Sequence, residues 1–128
     1  MEIIVGTKGE VRTLAEREDT ALEVGSGSLL VFATPCMVAL MEGAACEAIA
    51  QFLPEDKTSV GTYLQVEHMS ATPVGLEVWA QAEITAAEGN CVTFQVTAFD
   101  ESGPIGQGIH KRVIVNTQRF LDKTYAKV

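Results

Sequence analysis

The sequence predicts an α+β fold in which a curved antiparallel sheet wraps one long helix, and three observations carry that prediction. An Ala-, Met- and Leu-rich stretch follows Thr34-Pro35, apolar and polar residues alternate through 74–84 and 92–98, and turn chemistry recurs at hairpin-like spacing. With 128 residues, 47% of them hydrophobic, the chain is read as one domain, 1–128, with a single core.

Residues 10–24 mix Val11, Leu14, Ala21, Leu22 and Val24 with charges and read as an early strand followed by an irregular segment. Val24-Gly25-Ser26-Gly27-Ser28 is small and flexible, a candidate loop or lid, and leads into Leu29-Leu30-Val31-Phe32-Ala33, which should pack on the body of the fold. Thr34-Pro35 is a helix start: Thr caps the first free amides, and Pro suits the first helical position, where a missing N–H costs nothing. The helix is expected from about Pro35 to Phe52, with Pro54 preventing its continuation.

Strands follow. Thr58 to Ser70 is extended; Val74, Leu76, Val78, Ala80, Ala82 and Ile84 alternate with polar residues, as do Val92, Phe94, Val96 and Ala98. A last strand runs from Ile105 to Val115. Turns at Ala71-Thr72-Pro73, Glu88-Gly89-Asn90 and Glu101-Ser102-Gly103-Pro104 join these runs into an expected antiparallel meander.

Composition narrows the partners. Net charge is −8, but residues 1–110 carry −12 whereas 111–128 carry +4, from Lys111, Arg112, Arg119, Lys123 and Lys127 against Asp122. An acidic body repels a long polyphosphate, so nucleic acid is not an expected partner; a compact basic end still suits the few phosphates of a small molecule. The longest uncharged apolar runs, Leu29–Ala33 and Cys36–Met41, are too short to cross a bilayer, and no membrane partner is expected. Met1-Glu2-Ile3-Ile4-Val5 lacks the basic start and longer apolar segment of a secretory signal. Cys36, Cys46 and Cys91 show no C-x-x-C spacing and are expected as buried or half-buried thiols in a reducing compartment, so a cytoplasmic location is expected.

Three polar residues fall where the pattern asks for something else. Val38, Glu42, Ala45, Ile49 and Phe52 recur at helical spacing, which sets Glu42 on the apolar stripe, whereas Glu47 faces solvent. A carboxylate on such a stripe is expensive unless paired, and its pKa moves toward the range useful for acid-base work. Val60, Thr62, Leu64, Val66, His68 and Ser70 share one strand face, so His68 continues an apolar face and is a candidate general acid or base. If the sheet wraps the helix, carboxylate and imidazole share a pocket. Thr34 is the third candidate, but eight residues of helix, about 12 Å, separate it from Glu42. A site using Thr34, Glu42 and His68 therefore needs a second subunit. Gly106, Gly108, His110 and Arg112 share a face of the last strand, a shallow trough for a backbone or ligand with a cation at its end. His68, His110 and Glu42 have no metal-ligand spacing, so no metal is expected.

The residues V-F-A-T-P-C-M-V-A-L-M-E (31–42), G-T-Y-L-Q-V-E-H-M-S-A-T-P-V-G-L (61–76) and G-I-H-K-R-V-I-V (108–115) together resemble the hotdog-fold acyl-CoA thioesterases, within them the fluoroacetyl-CoA thioesterase group. The resemblance covers most of 31–120. It implies a hotdog fold, homodimers or larger homo-oligomers with active sites at the subunit interface, and no cofactor beyond the CoA of the substrate. It also implies that Thr34, Glu42 and His68 are catalytic, that Gly61 is a loop glycine at the site, and that Arg112 is an arginine near it. Fluoroacetyl-specific members are aromatic-rich just before V-F-A-T, whereas this chain has Val24 to Ser28, a departure that bears on which acyl group is taken. Hydrolysis of an acyl-CoA thioester is the expected function. Hydration or dehydration of an acyl thioester, or acyl-CoA binding without turnover, are the alternatives, which product analysis and a thiol-release assay separate.

Overall fold

Ala, Met and Leu side chains lose little freedom in a helix, and in the computed structural model, which describes residues 2–128, they form helix α2. The elements in order are β1 (Lys8–Leu14), a 3-10 turn (Arg17–Asp19), α1 (Ala21–Val24), α2 (Thr34–Ala50), β2 (Lys57–His68), β3 (Glu77–Glu88), β4 (Cys91–Asp100), β5 (Gly103–Asn116) and α3 (Thr117–Tyr125). Met1, the first residue of the segment read for a leader, lies outside the described residues.

The alternation predicted for the central strands holds. Val78, Ala80, Ala82 and Ile84 of β3 and Val92, Phe94, Val96 and Ala98 of β4 are all buried against α2, which turns Met37, Met41, Ala44, Ala45, Ala48 and Ile49 toward them. Burying each of the larger side chains contributes about 1.5–3 kcal/mol, and the alanines let helix and sheet approach closely. Phe32 and Ala33 join this core, whereas Leu29 and Leu30 of the same run are exposed, as are Cys46 and Cys91.

The strand order is β1-β3-β4-β5-β2, antiparallel throughout, so only β3, β4 and β5 form a meander. The expected turn at Ala71-Thr72-Pro73 is instead a crossover from one end of the sheet toward the other. It is pinned by the Thr72 hydroxyl donating to Asp100 Oδ2 at 2.7 Å and by the Phe32 amide donating to the Thr72 carbonyl at 2.9 Å. Val74, expected on the buried face, precedes β3 and is exposed.

A bulge redraws the faces of β2. Gly61 pairs with Arg112 but Tyr63 with Lys111, leaving Thr62 as an extra residue. Paired residues share a face, so Lys57, Ser59 and Gly61 before the bulge face the same way as Leu64, Val66 and His68 after it. Val60 and Thr62 are therefore not on the His68 face, and Gly61 is. The glycine trough closes on the chain itself: Gly106 lies against Met37, and Gly108 against the main chain of β2. Strand β5 lies inside the sheet and offers no edge to a partner; β2 does, over twelve residues. Past β5 the basic end forms α3, whose first turn is capped by Asn116 Oδ1 accepting from the Arg119 amide at 3.0 Å.

Candidate active site

Thr34 is not the cap of α2. Ala33 holds that position without a side-chain bond, and Thr34 is the first helical residue. Its hydroxyl is thereby free for another partner: Oγ1 lies 2.7 Å from His68 Nδ1 on the last residue of β2. The other ring nitrogen, Nε2, is buried and has no hydrogen-bond partner among the described residues. Burial pulls the His68 pKa below its ordinary value, so the imidazole is neutral at neutral pH. A cavity of about 260 Å³ opens beside this pair, walled by Ala21, Ser26, Phe32 and Ala71. The segment read as a lid thus borders it through Ser26, with Gly25 in the left-handed region (φ 82°) ending α1.

Glu42 sits at the margin of the α2 stripe rather than on it, with its side chain 38% exposed. The sequence placed it on the stripe by counting from Val38; the buried row runs instead from Met37 through Met41 and Ala44 to Ala48. The carboxylate looks across at β2 and β5, where Arg112 Nη1 lies 3.9 Å from its Oε2. A Cβ at Gly61 would stand 3.0 Å from that same oxygen, 3.2 Å from His110 Cε1 and 3.4 Å from Arg112 Nη1. Any larger residue here would press on the Glu42 carboxylate.

Arg112 is 7% exposed and held by its own protomer. Nε donates to Ser59 Oγ at 2.8 Å, Nη2 to the Ser59 carbonyl at 3.0 Å, and Nη1 to His110 Nε2 at 3.2 Å. A guanidinium only donates, so His110 accepts at Nε2 and carries its proton at Nδ1, which donates to the Tyr63 carbonyl at 2.9 Å. His110 is fully buried; that burial, reinforced by the neighbouring Arg112 charge, depresses its pKa and keeps it neutral. It acts as a positioning residue, tying Arg112 to the main chain just past the bulge. The sequence placed His110 on the right face but gave it no role, because the signal was the register with β2, a non-local property. Ser59 went unnoticed for the same reason.

The structure therefore gathers the five singled-out residues into two groups. Thr34 meets His68; Glu42 meets Gly61 and Arg112. The groups share the inner face of β2 but lie seven residues apart along it, about 20 Å. Among the described residues no cluster of His, Cys, Asp and Glu is arranged to hold a metal ion, and no helix is long and apolar enough to cross a membrane.

Comparison with known proteins bears on what such a pair of groups belongs to. Residues 15–118 match the family model described as fluoroacetyl-CoA-specific thioesterase. A fluoroacetyl-CoA thioesterase of Streptantibioticus cattleyicolor is 40% identical over 97 residues, covering 76% of this chain and 70% of that protein. The crystallised fluoroacetyl-CoA thioesterase FlK superposes with a TM-score of 0.93 at 31% identity over 100% of this chain and 99% of its own. A single-residue variant of it, solved with fluoroacetate and CoA, gives 0.86 at 32% identity over 91% and 98%. A hot-dog-like protein from Thermanaerovibrio acidaminovorans gives 0.86 at 27% identity over 96% and 91%. The five strands curved about α2 are thus a hotdog fold, and the chain belongs to the fluoroacetyl-CoA-specific thioesterase family.

Proposed function

We propose that the two groups are the halves of one thioesterase active site, completed when two copies of the chain pair along β2, and that the reaction is hydrolysis of an acyl-CoA to free acid and CoA. The observation that carries this reading is the separation of Glu42 from Thr34 and His68 on one face of an unpaired edge strand. That strand is twelve residues long and has no proline, and its only lysine is Lys57, at its start; Tyr63 and Leu64 are exposed on it. Edges left so unguarded are where strands pair. A two-fold axis near Leu64 and Gln65 sets Gly61 of one protomer opposite His68 of the partner subunit, one strand spacing away, about 4.8 Å. Each dimer then has two sites, each with Glu42 from one chain and the Thr34–His68 pair from the other.

The Glu42 carboxylate, with Arg112 beside it, attacks the thioester carbonyl carbon or takes the proton of a water that does so. The C–S bond breaks and the sulfur leaves with the electron pair. On the first route a water then cleaves the acyl–Glu42 anhydride, and the partner's His68, neutral at rest, takes that water's proton and gives it to the CoA sulfur; on the second, Glu42 passes the proton it took from water to the sulfur through the same ring, whose plane Thr34 fixes. Acid and CoA thiol are the products.

A thiol-release assay over acyl-CoA esters of differing length and polarity tests the reaction, and hybrid dimers test the site. Glu42→Gln and His68→Ala should each lower kcat by about 10²-fold or more with the fold intact. Mixing the two inactive proteins under exchange should recover about a quarter of wild-type activity, because half the dimers are hybrids and each hybrid has one intact site. No recovery on proven exchange would show that Glu42 and His68 do not meet across subunits.

A further inference from the structure

The cavity beside Thr34 and His68 is lined from two segments, 21–34 and 68–71. The first is closed on itself. The Ala21 amide donates to the Val31 carbonyl at 2.9 Å and the Leu22 amide to the Leu29 carbonyl at 3.1 Å, so the loop expected to be flexible hangs as one piece from its stalk at Val31 to Ala33. The second segment is the start of the crossover to β3. The two join where the Phe32 amide donates to the Thr72 carbonyl at 2.9 Å and Val31 bridges to Pro73. Whatever fixes Thr72 therefore fixes both walls, and with them the 2.7 Å approach of Thr34 to His68.

Thr72 is fixed by the β4–β5 hairpin. Its side chain is fully buried, and its hydroxyl donates at 2.7 Å to Oδ2 of Asp100, the last residue of β4 and itself 4% exposed. The other carboxylate oxygen, Oδ1, accepts from the Ser102 amide at 2.8 Å. That second bond is an ordinary turn device, a carboxylate closing on the amide two residues ahead. The bond to Thr72 is not, because it spans 28 residues and the hairpin closes without it. Among the described residues no cation pairs with Asp100, so the two hydrogen bonds replace the water that the carboxylate loses on burial. Apolar packing would bury this corner at less cost; a short directional bond sets its position. Pro73 stiffens the link further, since the residue before a proline is confined to extended backbone.

We propose that Thr72, through Asp100, is a positioning residue of the active site. The pair clamps the crossover and the stalk of the loop to the β4–β5 hairpin, and so sets both the distance between Thr34 and His68 and the width of the cavity that takes the acyl group. That the occupant is an acyl group rests on the thioesterase reading above. The crossover keeps other ties to the sheet: the Met69 and Ser70 amides donate to the Ile105 carbonyl at 2.6 and 3.3 Å. Loss of the clamp therefore shifts the walls rather than unfolding them.

The test uses the full-length protein and two readouts, turnover and the NMR signals of its two histidine rings. Thr72→Val keeps the shape and removes the hydroxyl. Well below its Tm, kcat on the acyl-CoA ester that wild type turns over fastest should fall about tenfold. The His68 ring signals should move, while those of His110, held by Tyr63 and Arg112, stay in place. Thr72→Ser should restore both. Ile84→Val loosens the core on β3, six residues from Val78, the residue paired with Asp100; it should lower Tm to a similar degree and leave kcat and both rings as in wild type. If Thr72→Val does not fold, Asp100→Asn carries the test: its amide has one acceptor oxygen for the two donors, so kcat should fall about two- to fivefold and the His68 signals move. Wild-type kcat and His68 signals in either variant, no rescue by Thr72→Ser, or an equal loss of kcat in Ile84→Val would each overturn the positioning role. His68 signals that move in a protein hydrolysing no acyl thioester would overturn the thioesterase reading and keep the clamp.

Discussion

The two ends of the inner face of β2 differ in how far they are finished. At the Gly61 end a buried guanidinium has three hydrogen bonds, a fully buried imidazole locks it, and glycine leaves room for the Glu42 carboxylate. At the His68 end one hydrogen bond joins an exposed threonine to a ring whose second nitrogen has no partner among the described residues, beside an open cavity. The difference follows from charge. A buried cation left without partners costs several kcal/mol, so its protomer must satisfy it on folding, whereas a neutral imidazole tolerates an unfilled valence far more cheaply. On the proposed reading, charge stabilisation is built in and proton transfer is left open to whatever arrives.

Stability should show this contrast first. Lysine has no planar fork, so Arg112→Lys strands Ser59 and His110 and should cost about 2–3 kcal/mol, a fall in Tm on the order of 10 °C. His68→Ala, which removes an already orphaned nitrogen, should shift Tm by only a few degrees in the same thermal melts. Equal losses at both ends would erase the distinction. A smaller effect is expected from Gly61→Ala. The new Cβ meets a buried imidazole at 3.2 Å and a carboxylate oxygen at 3.0 Å; the flexible Glu42 gives way, so kcat should fall about tenfold with Tm almost unchanged. A normal kcat in that variant would show that Glu42 has no fixed position to lose.

These features were unequally legible in the sequence. Alternation in β3 and β4 and the Ala-rich run of α2 are local patterns, and the fold class follows from them. Thr34, Glu42 and His68 stood out as polar groups in apolar or capping positions, although Glu42 is a marginal residue and Thr34 caps nothing. What could not be read is non-local. The crossing from β2 to β3 depends on which strands pair, and turn residues at 71–73 look the same in a hairpin and a crossover. The extra residue at Thr62 reverses the parity of β2, so Gly61 and His68, an odd number of residues apart, share a face that strict alternation denies them. Helix α3 was missed because its charges resemble a solvated tail; the Asn116 cap was the available sign.

The mildest expected effect comes from Thr34, and it tests why the His68 end stays neutral. One neutral hydrogen bond contributes about 0.5–1.5 kcal/mol, so Thr34→Val should lower kcat about two- to tenfold, and Thr34→Ser, which keeps the hydroxyl, should restore it. The imidazole must be neutral to take a proton, and burial holds its pKa below the ordinary 6.5. The partner's Glu42 carboxylate, brought beside the ring by the proposed pairing, acts the other way, so the effect of burial alone is read by NMR titration of the His68 ring in Glu42→Gln, where the midpoint should lie below 6.5. Burial rather than the threonine bond depresses the pKa, so the midpoint should stay below 6.5 when Thr34→Val is added. A midpoint that moved up to 6.5 on losing the hydroxyl would show that hydrogen bonding sets this end, as it sets Arg112 at the other.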